Sequence, residues 1–260
     1  MQIEYIALSD MGRLRNNNED SVLAVPEHGL VVLADGMGGH NAGEVASRMA
    51  VTLIAQHLGE WLPDNSGASM RDLRRAMAVS VDAANRSIFE AANTNADYHG
   101  MGTTLVVAVV HQGEMVLGHA GDSRAYLWKD GRLKQLTRDH SLLQEQIDSG
   151  LLTLAEAAMS SNGNLVTRAL GVEDLVLLDV QHRPLEDGDL YLLCSDGLTD
   201  MLDDSEIADE LTRNAMLSTE MRAQRLIDLA NERGGRDNIS VALIQVGKKP
   251  GDDLLQGLAQ

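Results

Sequence analysis

The sequence has few aromatic residues, one cysteine and no long apolar run. Aromatic residues make up 3% of the 260 residues, so the core must be built from aliphatic side chains and methionine. The one cysteine, Cys194, excludes an intramolecular disulfide and lies in an apolar run, which favours an inert buried thiol over a nucleophile. The longest apolar run, Leu105 to Val110, is far too short to span a bilayer, and no basic segment followed by an apolar one opens the chain. We therefore expect a cytoplasmic protein with no membrane partner.

Positive charge is also scarce. The chain has 21 Lys and Arg against 39 Asp and Glu, which gives a formal net charge of −18. This balance argues against nucleic acid as a partner, because phosphate backbones bind surfaces rich in lysine and arginine. It is compatible with bound cations and with basic or neutral protein partners, although much of the acidity is equally well explained by solubility.

Apolar runs in this sequence repeatedly end near an aspartate. Asp35 and Asp196 each follow an apolar run and precede a glycine, Asp122 follows a third run more loosely, and Asp237 comes just before the run 239–246. Short apolar runs bounded by glycine are typical of buried strands, and a buried carboxylate is costly unless a cation or donors satisfy it. Taken singly, each acid is better interpreted as a turn residue that bonds its own backbone. Brought together by one fold, the four predict a metal site with oxygen ligands.

The spacing of apolar residues predicts strands in blocks with pairs of helices between them. We predict strands over 3–9, 21–25, 30–34, 103–111, 115–120, 124–128, 132–136, 176–182, 189–194 and 239–246, and helices over 43–61, 69–92, 141–149, 204–212 and 219–233. Strands separated by turns as short as Asp130-Gly131 pair antiparallel. The pattern therefore predicts an α+β fold of four layers, in which helix pairs cover the outer faces of two antiparallel sheets.

A set of short motifs follows this framework in order. They are Ser9-Asp10-Met11-Gly12, Asn18-Glu19-Asp20, Ala34-Asp35-Gly36-Met37-Gly38-Gly39-His40, Gly102-Thr103-Thr104, Ala120-Gly121-Asp122-Ser123, Asp139-His140-Ser141, Thr167-Arg168-Ala169-Leu170-Gly171, Ser195-Asp196-Gly197 and Arg236-Asp237-Asn238. Each motif is weak alone, but the ordered set, which spans about residues 3–246, resembles the bacterial branch of the metal-dependent Ser/Thr protein phosphatases, the type-2C or PPM family.

The resemblance implies an αββα sandwich that holds two Mn²⁺ or Mg²⁺ ions at one end. Asp35 would bridge the two ions, the backbone carbonyl of Gly36 would be a ligand, and Asp196 and Asp237 would bind one metal directly. Hard oxygen ligands suit both kinds of ion. A water that bridges two such ions has a lowered pKa and can attack phosphorus in line, so no covalent phosphoenzyme is needed.

Other residues take supporting roles by the same resemblance. Glu19, Asp20 and Asn238 would act through bound waters. Arg15 would contact the phosphate, for which its guanidinium offers a bidentate fork, whereas the alternative for an exposed loop residue is a solvated charge.

Two further assignments are less direct. Asp122, with Asp196, would hold a third, weaker metal ion, and the alternative is a turn acid that pairs with the nearby Arg124. His40 could donate a proton to the leaving alkoxide. However, the related branch carries its candidate acid two residues after the aspartate, where this chain has Met37.

The chain departs from the family pattern in one segment. Many bacterial relatives carry His-Pro-x-Arg-Asn where this chain has Ser160-Ser161-Asn162-Gly163-Asn164. The segment ends the stretch 151–164 that resembles the family's flap beside the active site. Its small polar residues predict a mobile lid, and they leave open a substrate preference inferred from relatives.

The function that the sequence favours is hydrolysis of phosphoserine and phosphothreonine in proteins. The alternatives are a two-metal phosphoesterase for small phosphoesters and a non-catalytic binding module of the same fold. Expected partners are phosphorylated proteins, including a bacterial-type Ser/Thr kinase and its substrates. We expect a monomer with a single catalytic domain over 1–247, and a short disordered tail over 248–260.

Overall fold

The structure, a computed structural model, describes residues 2–38, 42–153, 156 and 165–247. Within these residues the strands are β1 (Ile3–Asp10), β2 (Asp20–Val25), β3 (Leu30–Met37), β4 (Gly102–Thr103), β5 (Leu105–His111), β6 (Glu114–Ala120), β7 (Arg124–Lys129), β8 (Arg132–Gln135), β9 (Asp179–Pro184), β10 (Leu190–Cys194) and β11 (Ile239–Val246). The helices are α1 (Ala42–Asp64), α2 (Met70–Thr94), α3 (Leu142–Asp148), α4 (Asp196–Thr199), α5 (Asp204–Arg213) and α6 (Thr219–Glu232).

Two antiparallel sheets form the centre of the molecule. The first has the strand order β1-β11-β10-β7-β8, and the second has the order β2-β3-β5-β6-β9, with β4 paired to β3. Neighbours within each sheet pair antiparallel, for example β10 with β11 and β5 with β6. The close strand spacing in the sequence predicts this pairing, and the structure confirms it.

Alternate residues along β3 show how the layers are built. Val31 and Leu33 are buried in a core between the two sheets, where they join residues such as Tyr191 and Ala242 of the other sheet. The intervening residues, such as Val32, pack in a second core with α1 and α2. A third core joins the first sheet to α5 and α6. The period of two along the strand therefore fills cores on both faces. The predicted four-layer arrangement of two sheets and outer helix pairs is confirmed.

Helix α2 begins where the sequence predicts. Ser69 is its N-cap, and its side chain accepts a hydrogen bond from the Asp72 backbone N–H while Asp72 in turn accepts from the backbone of Ser69. This reciprocal capping box satisfies two donors that a helix start leaves unpaired.

The structure corrects two strand boundaries. The predicted strand 176–182 begins only at Asp179, because β6 pairs with β9 no further than His119 opposite Asp179 before the chain turns at Gly121. The predicted strand 103–111 is broken at Thr104, whose backbone N–H donates to the carbonyl of Asp35. Apolar alternation alone cannot show where a partner strand stops.

Several predictions fall on residues that the structure does not describe. They concern His40, most of the expected lid over 151–164 and the tail over 248–260. The domain boundary at 247 stays a prediction as well. Among the described residues, no helix combines the length and apolar character needed to cross a bilayer.

Candidate active site

The aspartates singled out in the sequence lie around one cleft. Asp35 lies near the end of β3, Asp122 and Asp196 follow β6 and β10 by two residues, and Asp237 precedes β11 by two. Because β3 and β6 belong to one sheet and β10 and β11 to the other, the cleft lies at one end of the sandwich. It has a volume of about 290 Å³, and its wall includes Arg15, Glu19, Asp35, Gly36, Asp122, Asp196, Asp237 and Asn238.

Glycine is required beside Asp35 by close packing. A Cβ on Gly36 would lie 2.1 Å from the carbonyl oxygen of Gly43 and 2.5 Å from that of Glu19. The Gly36 backbone N–H also donates to the Glu19 carbonyl at 3.1 Å. The start of α1 and the loop before β2 can therefore approach β3 only because position 36 has no side chain.

Two threonines from the Gly102-Thr103-Thr104 motif fix the backbone of Asp35. The Asp35 N–H donates to Thr104 Oγ1 at 3.0 Å, and Thr103 Oγ1 donates to the Asp35 carbonyl at 2.8 Å. Thr104 Oγ1 is also 2.8 Å from Ser123 Oγ, next to Asp122. The motif is part of the family resemblance, but its sequence does not indicate that the two threonines hold the backbone of Asp35.

Asp20 lies behind the cleft as the cross-strand neighbour of Asp35. The two residues are directly opposite in the β2–β3 ladder. Ser195 Oγ donates to Asp20 Oδ2 at 2.8 Å. Burial raises the pKa of Asp20 to about 7, and burial followed by the charge of Asp20 raises the pKa of Asp35 well above its usual range. Ser195 is a partner that sequence reasoning missed, although it stands inside the Ser195-Asp196-Gly197 motif.

Asp122 and Asp196 also lie at the cleft, the first buried and the second half-buried. Burial, followed by the charge of Asp139, raises the pKa of Asp122 to about 6. Burial and the charges of Asp122 and then Asp200 raise the pKa of Asp196 well above its usual range. The alternative partner considered for Asp122, Arg124, is engaged elsewhere, since its Nη2 donates to Asp139 Oδ2 at 2.6 Å.

Arg15 faces the same cleft from the loop between β1 and β2. Its Nη2 donates to Asp237 Oδ2 at 2.5 Å, with side chains 50% and 32% exposed. The alternative interpretation of Arg15 as a solvated charge is therefore not what the structure shows. Arg15 is the only cationic side chain among the described residues that line the cleft.

Asn238 holds the loop that carries Arg15. Its Nδ2 donates to the carbonyls of Met11 and Asn17 at 2.9 and 2.8 Å, and its Oδ1 accepts from the Glu19 N–H at 2.8 Å. The side-chain amide of Asn238 therefore bonds to backbone groups of the loop, and it fixes the wall of the cleft.

The donor set fits divalent cations. Buried carboxylates repel one another and have raised pKa values, and a single arginine does not balance them. Carboxylate and carbonyl oxygens are the ligands that Mg²⁺ and Mn²⁺ prefer. The acids that line the cleft come from both sheets, so both sheets offer carboxylates to a bound cation.

A second group of side chains, outside the cleft, also lies close enough together to hold a metal ion. His119, His140 and Asp179 place one ligand atom each within 4.8 Å. However, Arg168 Nη1 lies 2.9 Å from His140 Nε2 and 2.9 Å from Asp179 Oδ1, and the two imidazole rings stack with centroids 4.8 Å apart. A guanidinium already occupies the position of a cation there. His140 Nδ1 also accepts a hydrogen bond from the Gly121 N–H at 3.1 Å, so this histidine serves local hydrogen bonding.

Comparison with known proteins points to one group of enzymes. The sequence model of the family described as "Protein phosphatase 2C" matches residues 14–230. The serine/threonine phosphatase stp of Listeria welshimeri is 38% identical over 240 residues, which cover 91% of this chain and 93% of that protein. The crystal structure of the Mycobacterium tuberculosis serine/threonine phosphatase PstP/Ppp is 39% identical, with a TM-score of 0.85 over 95% of this chain and 99% of that one. The catalytic domain of PstP, solved with two manganese ions, is 38% identical with a TM-score of 0.82, again over 95% and 99% of the two chains.

Proposed function

The chain belongs to the protein phosphatase 2C family, and we propose that the cleft between its two sheets is the catalytic centre. The observation that carries this proposal is the set of four aspartates from both sheets that meet at one end of the sandwich. The ends of strands from both sheets meet there, and loss of solvent makes the carboxylates of Asp35, Asp122 and Asp196 depend on a cation or a proton.

The activity of the chain is that of a metal-dependent protein Ser/Thr phosphatase. The sequence predicts this function, and the family match together with the named relatives confirms it. Neither alternative, a phosphoesterase for small molecules or a non-catalytic binding module, finds support in these comparisons. Phosphorylated proteins are accordingly its substrates.

The residues present would hold two Mn²⁺ or Mg²⁺ ions. Asp35, near the end of β3, would be a ligand of both ions. Asp196 and Asp237 would each offer a carboxylate, and Gly36 would offer its backbone carbonyl. The relative solved with two manganese ions supports the number and the kind of ion. Bound there, the ions would activate a water molecule and neutralise charge on the phosphoryl oxygens. Asp122 would add a ligand for a third, weaker ion.

The protein's own groups bind and orient the substrate. Arg15 Nη2 already points into the cleft toward Asp237, so the same guanidinium can form paired hydrogen bonds with a phosphoryl group. Glu19 and Asn238 at the cleft wall, and Asp20 behind it, would act through bound waters. His40, which lies outside the described residues, would donate a proton to the leaving alkoxide.

The cellular setting belongs to the same proposal. We infer that the substrates include a bacterial-type Ser/Thr kinase and its targets, and that the protein acts in the cytoplasm. We propose one catalytic domain over 1–247, since the residues at the cleft run from Arg15 to Asn238, and we propose that it acts as a monomer.

A turnover experiment tests the proposal. Purified protein with Mn²⁺ is assayed on a phosphothreonine peptide, on p-nitrophenyl phosphate and on a nucleotide. We expect hydrolysis of the first two and loss of about 10²–10³-fold in kcat for Asp196→Asn, because a buried ligand is removed. Asp209→Asn, on the exposed face of α5, is the matched control with wild-type activity. Equal activity of Asp196→Asn and the control would contradict the assignment.

A further inference from the structure

A groove free of carboxylates lies between the first turns of α2 and the edge strand β9. It has a volume of about 470 Å³. Its cationic wall is formed by Arg71, Arg74 and Arg75. Leu178 and Val180 form an apolar part, and His182 lies at the β9 side. We call this surface the arginine groove.

Its charge is unusual for this protein. Acidic residues outnumber Lys and Arg by 39 to 21 over the chain, yet no acid lines the arginine groove within the part of the chain that the structure describes. The nearest acid in sequence, Asp72, is turned toward Ser69, whose Oγ donates to its carboxylate at 2.6 Å. The groove is therefore a positive patch on a strongly negative molecule.

The three arginines form no close ion pair with a described residue, although the charges of Arg71 and Arg75 act on Asp72 after its hydrogen bonds from Ser69 and lower its pKa further. Further along the same helix, Arg86 pairs with Asp82 at 4.0 Å, one turn away. Arg71, Arg74 and Arg75 form no such pair with a described residue; Arg74 instead donates from Nη2 to the carbonyl of Val180 at 3.3 Å. This bond holds one guanidinium against β9, and all three arginines are exposed. Exposed guanidinium groups without a close ion pair are well suited to bind carboxylates.

The groove lies along the sheet from the catalytic cleft. Strand β9 runs antiparallel to β6, with Val180 opposite Gly118 and His182 opposite Val116. Asp122 at the cleft follows these β6 residues by four and six positions, so at ~3.3 Å per residue the groove begins roughly 13 Å and reaches roughly 20 Å along the sheet from the cleft. An extended peptide spans that distance with about four to six residues.

The chain between cleft and groove exposes apolar side chains. Leu170 pairs with Thr103, whose hydroxyl donates to the Asp35 carbonyl. From there the chain passes Leu175 and Leu177, which are 64% and 75% exposed, before β9 begins beside the groove. A bound peptide chain would thus find apolar contacts on its way from one site to the other.

We propose that the arginine groove binds an acidic stretch of the phosphoprotein substrate that begins about four to six residues from the phosphorylated side chain. The proposal rests on the proposed function of the cleft. Physically, the groove offsets the repulsion that a net charge of −18 imposes on acidic substrates, and it adds affinity at a distance from the chemistry.

The test compares two phosphothreonine peptides of equal length. One carries four glutamates beginning five residues from the phosphothreonine, the other four glutamines there, and each is made with the block on either side. The variant is Arg71→Gln/Arg75→Gln, which leaves the Arg74 contact in place. The matched control is Arg86→Gln/Arg213→Gln, which removes the same charge from two exposed arginines paired within their own helices. Circular dichroism checks that all variants are folded.

We expect the groove variant to raise KM for an acidic peptide by about threefold to tenfold with kcat unchanged. The glutamine peptides and p-nitrophenyl phosphate should be hydrolysed as by wild type, and 0.5 M NaCl should abolish the difference. An unchanged KM for both acidic peptides, or an equal rise in the control variant, would overturn the proposal.

A binding measurement separates this proposal from the catalytic one. Fluorescence anisotropy with the unphosphorylated acidic peptide should show binding to wild type and weaker binding to the groove variant, whether or not the cleft is active. Binding with no turnover would contradict the proposed catalytic centre alone. Turnover with no difference in anisotropy between variant and wild type would contradict the arginine groove alone.

Discussion

Asp20 and Asp35 lie directly opposite each other on β2 and β3, Asp20 buried and Asp35 half-buried, at the end of the sandwich where the cleft opens. Like charges in this position destabilise a sheet. One hydroxyl, that of Ser195, donates to Asp20 at 2.8 Å, and it cannot neutralise two carboxylates. The pair is tolerated when a proton or a metal ion balances it, so the fold and the chemistry depend on the same charges.

The first prediction concerns stability without metal. The pKa of Asp20 is raised by burial to about 7 and that of Asp122 to about 6. Between about pH 4 and 7 the native state therefore binds more protons than the unfolded state, so stability falls as pH rises through this range. In EDTA we expect the free energy of unfolding to drop by about 2 kcal/mol or more between pH 5 and pH 8, or ~5 °C in Tm. Thermal melts measure it, and Mn²⁺ should recover most of the loss at pH 8.

The control for that prediction is Asp20→Asn. Its amide oxygen can still accept the hydrogen bond from Ser195, but it carries no titrating charge. The pH slope should be shallower in this variant. A wild-type slope that is flat or rises toward pH 8, or an equally steep slope in Asp20→Asn, would show that the buried acids do not set the pH dependence.

The second prediction separates stability from function at Asp35. Asp35→Asn removes one charge of the Asp20–Asp35 pair, so we expect a higher Tm than wild type in EDTA at pH 8. The same change should lower kcat by about 10²–10³-fold and abolish stabilisation by Mn²⁺, because the proposed bridging ligand is lost. Melting curves with and without Mn²⁺, together with turnover, measure both effects. Stabilisation by Mn²⁺ equal to that of wild type would exclude a bridging role.

The third prediction concerns the paired hydrogen-bond donors of the Arg15 guanidinium. Arg15→Lys keeps the charge but loses paired donors, so inorganic phosphate should inhibit roughly tenfold more weakly, and kcat/KM should fall by at least as much. Arg13→Lys, on the same loop, is the matched control and should leave both values near wild type. Equal phosphate inhibition in the two variants would remove Arg15 from the phosphate site.

The fourth prediction concerns Asp122. Asp122 lies at the cleft with Asp196 but on the other sheet. We therefore expect Asp122→Asn to abolish binding of the weakest ion and to leave binding of the two tighter ions unchanged. Isothermal titration with Mn²⁺ should show the weakest phase disappear while the tight phases persist. Loss of all binding, or a titration identical to wild type, would each contradict the third-ion role.

The sequence predicted most of the fold because its apolar periodicity is regular. Strands such as 239–246 and the Ser69-capped helix were placed to within a few residues. The strand predicted from 176 was wrong at its start, because pairing ends where β6 ends, and that depends on a distant strand. Short α4, which begins at Asp196, was missed because four residues carry no periodicity.

The site was predicted at the level of which acids meet, and less well for what holds them. The strand ends and the family motifs predict that Asp35, Asp196 and Asp237 lie close together, and in the structure all three line one cleft. The bonds from Thr103 and Ser195 join segments far apart in sequence, and no local pattern indicates them.

The most direct test of the account is anomalous scattering from crystals grown with Mn²⁺. We predict two strong peaks in the cleft, one on each side of Asp35, in contact with the Gly36 carbonyl, Asp196 and Asp237, and a weaker third peak near Asp122. Manganese at His119, His140 and Asp179 instead, with no peak beside Asp35, would contradict the proposed catalytic centre.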